Sequence, residues 1–220
     1  MPVEHLERYI ISIRKIGYRF VSLLEILRDD VSGKVLALTV DDAYKACITN
    51  LLPILKKYRI QSTLFVPPGL IGLPANHVKL LKQNCYPDEA MMNLEDLKLW
   101  KQEGQQIGFH TYNHINLKCL TQEDIEYDFH MGLEKLQEWG MQTEVFAYPF
   151  GYLPDNFQII EKELLAYGFK YAFTVKWGDV NIDTPYYINR VCIGDREPLV
   201  WSILKTIGWV DWYPKIKCLI

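Results

Sequence analysis

The stretch that decides the fold is "LALTVDDAYKA", residues 36–46, in which a run of apolar residues ends on two adjacent carboxylates. The run over residues 35–40 is predicted to be a β-strand buried on both faces, because it is apolar with almost no alternation. Asp41 and Asp42 then lie a few ångströms apart, where each raises the free-energy cost of ionising the other. Either a positive charge nearby offsets that cost, or the pair is solvated in a loop.

The composition is that of an ordinary folded protein. The 220 residues are 49% apolar and 23% charged, which suits one domain with a substantial core. The net charge of −3 gives no basic surface, so nucleic acid is not expected as a partner. Scattered cysteines without metal-clip or redox spacing indicate reduced thiols. No signal peptide or apolar run long enough to span a membrane is visible, so a cytoplasmic location is expected.

A recurring unit along the chain predicts the architecture. Amphipathic segments close on a glycine and a β-rich run follows, at Gly17, Gly104, Gly140 and Gly168; Arg59 stands in the glycine's place in a further copy. Glycine supplies the left-handed conformation that ends a helix. The alternation predicts an α/β fold with mostly parallel strands, open or closed as a barrel, in a single domain over residues 1–220. The strands are expected near 35–40, 62–66, 106–109, 144–148, 171–175 and 187–192.

Helix starts and one long loop complete this outline. Asn93 is a candidate N-cap, and Thr121 with Asp124 resembles a capping box. The proline-bearing segment 67–92 is expected to be a long loop, and loops of that length often form site walls or lids.

Polar residues fall where the predicted strands end, and this is where α/β sheets and barrels gather their sites. Asp41 and Asp42 follow the first strand, and His110 and His114 follow the third, four residues apart. Two imidazoles and one carboxylate make a three-ligand site with open positions, the form that a catalytic divalent metal needs. A cation bound to Asp42 would also allow Asp41 to stay ionised beside it. The same ligand set describes a non-haem iron oxygenase, but a carboxylate poised as a base favours hydrolysis.

Three motifs, "TVDDAY", "HTYNH" and "YPFG", occur in that order after helix–glycine–strand units. With these motifs in this order, the chain resembles the polysaccharide deacetylase family, carbohydrate esterase family four, which includes chitooligosaccharide deacetylases. The flanking segments "GYRFVSLLEIL" and "LLPILKKYRIQSTLFV" agree with it. The resemblance covers roughly residues 10–195, and it implies a distorted (β/α) barrel.

The resemblance also implies roles for individual residues. Asp41 matches the family's catalytic base. Asp42, His110 and His114 match its metal ligands, and the ion is expected to be zinc, with cobalt or nickel as alternatives. Residues 147–151 fall on the family's groove motif, whose backbone amide helps to hold the oxyanion. The groove and oxyanion positions in this chain are Tyr148, Pro149 and Phe150.

The chain departs from the family pattern at several positions. The family's late histidine, its usual general acid, is absent, and its groove arginine is replaced by Ala147. Position 43 is alanine where glycine is commoner. Arg190 could orient a carboxylate or bind substrate, or be an ordinary surface arginine. Candidates for a substitute acid are Asp179, Asp183, Asp195 and His77.

The expected function is metal-dependent removal of N-acetyl groups from an amino sugar of a glycan or glycan precursor. An amide hydrolase with a small non-sugar substrate and a glycan-binding protein without turnover are the alternatives. The C-terminal stretch from residue 199 combines tryptophans with lysines. It is expected to form a helix packed on the barrel, with a peripheral membrane contact as the less favoured possibility.

Overall fold

Five parallel strands form the centre of the protein. The structure, a computed structural model, describes residues 2–28, 30–76, 89–155, 157–176, 178, 181–194 and 197–209. The strands are β1 Arg19–Phe20, β2 Val35–Leu36, β3 Leu38–Asp41, β4 Ser62–Val66, β5 Gln106–Phe109, β6 Val145–Ala147 and β7 Tyr171–Phe173. β3 to β7 lie side by side in chain order with every pairing parallel, and β1 pairs with β2 in a separate parallel ribbon.

Helices cover the outside of the sheet. They are α1 Val3–Lys15, α2 Leu23–Leu27, α3 Leu52–Tyr58, α4 Leu94–Gln102, α5 Gln122–Glu138, α6 Phe157–Ala166 and α7 Leu199–Thr206. A helix lies between each pair of successive strands from β3 to β7, as parallel pairing requires. The sheet curls into a half-barrel in a single α/β domain, which confirms the predicted fold class.

The helix ends follow the predicted local signals. Gly17, Gly104, Gly140 and Gly168 all have left-handed φ angles, between 69° and 92°, and Arg59 has φ 50° at the end of α3. The helix starts agree as well: Asn93 with Asp96, and Thr121 with Asp124, form reciprocal capping boxes.

The first predicted strand is broken and only half-buried. Ala37 separates β2 from β3, so residues 35–40 serve two different sheets. All four residues of β3 are half-buried, whereas all five of β4 are buried. Burial on both faces was therefore the wrong expectation for β3, which is an edge strand of the five-stranded sheet.

The strand predicted over 187–192 does not form. Ile188 makes one parallel bridge to Phe173, where its N–H donates to Ala172 and its carbonyl accepts from Thr174. The next ladder bond would use the carbonyl oxygen of Thr174. The Nε of Arg190 donates to that oxygen at 3.0 Å, so at this position the bond to the carbonyl comes from a side chain.

Aromatic packing joins the helices to the sheet. Phe109 on β5 contacts Phe129 edge to face at 5.3 Å and stacks on Phe169 at 5.7 Å between ring centroids. Gly132 on α5 permits this approach, because a Cβ there would lie 2.4 Å from the Phe109 ring. These contacts set α5 directly against the end of β5.

The C-terminal helix packs on the barrel, as predicted. Leu199 and Ile203 of α7 pack against the main core, and Thr206 forms a 2.8 Å hydrogen bond with Tyr9 of α1. Trp209 is 73% exposed, and residues 210–220 lie outside the described residues. A membrane contact through this stretch stays a prediction. Among the described helices, none has the length and apolarity needed to cross a membrane.

Candidate metal centre

The carboxyl ends of the parallel strands meet at one edge of the sheet. The register pairs Asp41 with Phe65, Val66 with Phe109, and Ala147 with Phe173. Backbone bonds continue this alignment one residue further: Asp42 donates to Phe65, and His110 donates to Val66. The hydrogen bonds between neighbouring parallel strands therefore bring residues that are far apart in the sequence to the same edge of the sheet.

Asp42, His110 and His114 form a buried cluster at this edge. Their ligand atoms lie within 4.8 Å of one another. One carboxylate oxygen, Oδ1 of Asp42, lies 3.0 Å from Nε2 of His114 and 3.5 Å from Nε2 of His110. Each of the three residues is at least 90% buried, in agreement with the predicted metal ligands.

The donor set fits a divalent metal ion. The Nδ1 of His110 lies 2.7 Å from the carbonyl oxygen of Ala147. A carbonyl only accepts, so Nδ1 carries the proton and Nε2 presents its lone pair towards Asp42. Ligand atoms about 2.0–2.2 Å from a shared ion lie roughly 3–3.5 Å apart, which matches both Asp42 separations. A buried carboxylate facing imidazole nitrogens is the kind of charge that a cation stabilises.

The loops that carry the cluster adopt unusual backbone conformations. The described chain has six non-glycine residues with positive φ, and one of them, Arg59, ends a helix. The other five belong to the strand ends of this site: Asp42, Ala43, Thr111, His114 and Phe150. Non-glycine residues in this region cost about 1 kcal/mol or more each, and such strain gathers at functional sites. The φ of 59° at Ala43 also explains why glycine suits that position.

Helix α5 holds the loop that carries the two histidines. The buried carboxylate of Asp128 accepts the backbone N–H of Tyr112 at 2.7 Å and that of Asn113 at 3.4 Å. Burial raises the pKa of Asp128 to about 6, although the two N–H donors act in the opposite direction. On the other side of the loop, Gly69 donates to the carbonyl of Tyr112 at 2.8 Å. A Cβ at Gly69 would lie 2.3 Å from the side-chain oxygen of Asn113, so only glycine fits there.

Asp41 points to a different partner from Asp42. The guanidinium of Arg190 donates to both of its carboxylate oxygens, at 2.8 and 2.9 Å. Burial raises the pKa of Asp41, and the charge of Asp42 acts in the same direction. The positive charge of Arg190 and its hydrogen bonds to the carboxylate outweigh both, so the pKa lies below its usual value. Asp41 is therefore ionised at neutral pH and can accept a proton.

Comparison with known proteins shows the family of this chain. A family model described as polysaccharide deacetylase matches residues 28–172, about two thirds of the chain. The chain belongs to the polysaccharide deacetylase family. The matched range carries all three residues of the cluster and ends within β7.

Two relatives are similar to this chain over most of its length. A poly-beta-1,6-N-acetyl-D-glucosamine N-deacetylase of Staphylococcus aureus is 26% identical over 186 residues, 80% of this chain and 62% of that protein. YxkH of Bacillus subtilis is 27% identical over 164 residues, 73% of this chain and 52% of its own length. The chain thus spans between half and two thirds of these relatives.

Two solved structures share the fold. IcaB from Ammonifex degensii has a TM-score of 0.78 at 24% identity, over 96% of this chain and 90% of that one. The Streptococcus pyogenes deacetylase PplD, solved in complex with acetate, has a TM-score of 0.73 at 24% identity, over 93% and 86%.

Of the three predicted groove residues, only Phe150 exposes its side chain. Tyr148 is fully buried, and its hydroxyl donates to the carbonyl of Tyr186 at 2.9 Å. Its ring belongs to the core and cannot line a groove, because it packs edge to face on Phe146. Pro149 is also buried, whereas the Phe150 ring is 39% exposed and lies 4.6 Å from the His114 ring.

An exposed aromatic pair lies beside the cluster of Asp42, His110 and His114. The Phe150 ring is stacked beside that of Tyr152, with 6.2 Å between centroids and 27° between planes. Tyr152 is 55% exposed. Gly151 between them has φ 68° and no room for a Cβ, which would lie 2.1 Å from Val175. The turn is therefore closely packed, and it places the Phe150 ring against His114 and the Tyr152 ring beside Phe150.

The remaining predicted candidates are not brought to the cluster by any described contact. Asp183 is exposed in a turn, where its backbone N–H donates to the side chain of Asn181. His77, Asp179 and Asp195 lie outside the described residues, so their candidacy as the general acid stays a prediction. The described ends of the 67–92 segment do reach the site: Ala43 accepts from Met92 at 2.9 Å.

Sequence reasoning missed Asp128 and Thr39. Asp128 lies in the middle of an ordinary amphipathic helix, where no local pattern separates it from a surface carboxylate. Thr39 accepts from Arg190 at 3.2 Å. It stands two residues before Asp41 on the same strand, so the period of two places both on one face. That spacing was a usable signal.

Proposed function

We propose that this protein is a metal-dependent hydrolase that removes N-acetyl groups from an amino sugar of a glycan or glycan precursor. The observation that carries the proposal is that the two adjacent aspartates, Asp41 and Asp42, have different partners. Asp42 faces the two histidines, while Asp41, ionised and held by Arg190, stands beside them as a base. A hydrolytic site needs both elements, and membership of the polysaccharide deacetylase family supports this reaction.

The chain's residues supply the parts of an amide hydrolysis. When bound by Asp42, His110 and His114, a divalent ion, most simply zinc, polarises the amide carbonyl and lowers the pKa of water. Asp41 accepts the proton of the attacking water. The backbone N–H of Phe150 is the proposed donor to the tetrahedral oxyanion. One such donor typically contributes about 3 kcal/mol to transition-state stabilisation.

The leaving amine must receive a proton before it departs. Asp41 holds the proton taken from water, and it is a carboxylic acid already in place to return it. This route needs no late histidine. As Asp41 gives its proton to the nitrogen, the C–N bond breaks, and acetate and a free amino sugar are formed.

The exposed pair of Phe150 and Tyr152 supports a sugar as the substrate. Aromatic rings that stay exposed beside a catalytic centre offer flat apolar faces, which suit the apolar face of a pyranose ring. The backbone of Phe150 has φ 59° and ψ 2°, and a large exposed ring in that conformation calls for a functional reason. The relative from Staphylococcus aureus is named for poly-beta-1,6-N-acetyl-D-glucosamine, which makes N-acetylglucosamine oligomers the first substrates to test.

The test is acetate release from a panel of N-acetylglucosamine oligomers, with β-1,6 and β-1,4 linkages, and of small cyclic amides. The protein is first treated with chelator and then resupplied with zinc, cobalt or nickel. Asp41→Asn is compared with Asp30→Asn, which changes an exposed aspartate outside the site. We expect metal-dependent release from the oligomers by the wild type and by Asp30→Asn. Asp41→Asn should bind metal normally and release no acetate.

Other results would contradict the proposal in different ways. Release of product from the cyclic amides alone would identify a small-molecule amide hydrolase. Glycan binding without acetate release, by metal-loaded protein, would identify a binding protein. Oxygen consumption with a keto-acid cosubstrate would identify an iron oxygenase on the same ligands.

A further inference from the structure

We propose that Arg190 is the positioning residue of this site: it fixes the carboxylate of Asp41 in the orientation that proton transfer needs. The inference rests on the proposed function. It assigns a role to a residue 149 positions away from Asp41 in the sequence and outside the residues matched by the family model.

The planar guanidinium of Arg190 forms two hydrogen bonds to the planar carboxylate of Asp41. Nη1 donates to Oδ1 of Asp41 at 2.8 Å, and Nη2 donates to Oδ2 at 2.9 Å. Paired parallel bonds of this kind set the plane of the carboxylate as well as its distance. Asp41 is a strand-end side chain with 31% of its surface exposed, so it has room to rotate if these two bonds are removed.

Arg190 is itself held from both edges of the sheet. Its Nε donates to the carbonyl of Thr174, just after β7, and its Nη1 also donates to Thr39 on β3. β3 and β7 are the two outer strands of the five-stranded sheet. The guanidinium therefore bridges the open edges of the half-barrel at the level of the catalytic residues.

The rings of Phe65 and Phe173 pack against the guanidinium of Arg190. Its central carbon lies 5.1 Å from the centroid of Phe65 and 6.0 Å from that of Phe173, and only 11% of the side chain is exposed. A guanidinium over aromatic faces is stabilised by cation–π attraction. Ala147, which replaces the family's groove arginine, belongs to the same apolar cluster as Phe65 and Phe173. A small apolar side chain therefore lies beside these two rings.

The hydrogen bonds favour positioning over substrate binding. Guanidinium has five N–H donors, and four of them are engaged by Thr174, Thr39 and the two oxygens of Asp41. Little donor capacity is left for a substrate. The same contact also separates the two adjacent carboxylates, since Arg190 draws Asp41 to itself while Asp42 faces the histidines.

The test compares Arg190→Ala and Arg190→Lys with Arg28→Ala in the zinc-loaded full chain. Arg28 is the matched control, because it is an exposed arginine that lies 3.7 Å from Glu144, away from the site. For Arg190→Ala we expect kcat to fall about 100-fold, the scale of a misplaced catalytic group, with KM and zinc content unchanged. Free guanidinium ion should restore part of kcat, and sodium chloride at equal concentration should not. Arg28→Ala should behave as the wild type.

Arg190→Lys keeps the charge and most of the packing but cannot form the two parallel hydrogen bonds, so its kcat should also fall. Wild-type kcat in Arg190→Lys would overturn the proposal, and so would a rise in KM with kcat unchanged, which indicates substrate binding. If the wild type releases no acetate at all, the proposed function fails. The crystal structure of zinc-loaded Arg190→Ala then decides the positioning role alone: a rotated Asp41 supports it, and an unmoved Asp41 overturns it.

Discussion

The Nδ1 of His110 donates a 2.7 Å hydrogen bond to the carbonyl oxygen of Ala147, the last residue of the neighbouring strand β6. The bond fixes both the tautomer and the plane of the ring, so Nε2 faces Asp42. A strand-end carbonyl thus prepares a metal ligand, and the sheet register controls the chemistry of the site.

Removing one ligand should abolish tight metal binding. We expect His114→Ala to lower zinc affinity by at least about 100-fold, beyond the usual effect of losing an outer hydrogen bond to a ligand. Competition with a chromogenic chelator measures this. His130→Ala is the control, because His130 is exposed on α5. Equal zinc affinity in the two variants would show that the cluster is not the metal site.

The aromatic pair should matter for long substrates. We expect Phe150→Ala and Tyr152→Ala each to raise KM for oligosaccharides by about three- to tenfold, the scale of one aromatic contact. The effect of Tyr152→Ala should fall on KM and leave kcat and zinc content unchanged. Tyr127→Ala removes a ring that is 65% exposed on α5 and serves as the control. An unchanged KM in both site variants would remove these rings from substrate binding.

The close approach of the histidine loop to Gly69 should make that glycine irreplaceable. In Gly69→Ala the new methyl would lie 2.3 Å from the side chain of Asn113 and 2.8 Å from the carbonyl of Tyr112. We expect a loss of about 1–3 kcal/mol in the free energy of unfolding, and weaker zinc binding. Gly194→Ala is the matched control, since its nearest neighbour would be 3.6 Å away. Denaturant unfolding and zinc titration check both; equal stability of the two variants would contradict the prediction.

Asp128 should make the stability of the metal-free protein depend on pH. Its pKa in the folded protein is raised to about 6, so over the interval from pH 4 to 6 the folded protein keeps a proton that the unfolded chain releases. Its contribution to the free energy of unfolding is therefore present below pH 4 and is lost as the pH rises through 6. The loss is at most about 3 kcal/mol.

Asp128→Asn removes this titration and keeps an acceptor for the N–H of Tyr112. The variant should gain stability relative to the wild type as the pH rises from 4 to 6. Urea unfolding of chelated protein at several pH values measures the difference. A difference that is constant across this interval would show that Asp128 does not titrate there.

Local sequence determined the elements and their order. Glycine at the helix ends, and the capping pairs at Asn93 and Thr121, act over a few residues, so they were visible in the chain alone. The alternation of helices and strands requires parallel pairing, which in turn sends Asp42, His110 and His114 to one edge. The cluster was predictable because Asp42 and His110 each directly follow a strand, and His114 lies four residues after His110.

Only the tertiary structure decided how the rest of the site is completed. Arg190 could be named as a candidate for orienting a carboxylate, but its partner is set by the distance between β3 and β7 across the half-barrel. Its side chain also donates to the carbonyl of Thr174, at the point where the strand predicted over 187–192 is reduced to a single bridge. The burial of Tyr148 and the support of the histidine loop by Asp128 likewise depend on which helix packs against which strand. Such contacts join residues distant in sequence, and no local propensity encodes them.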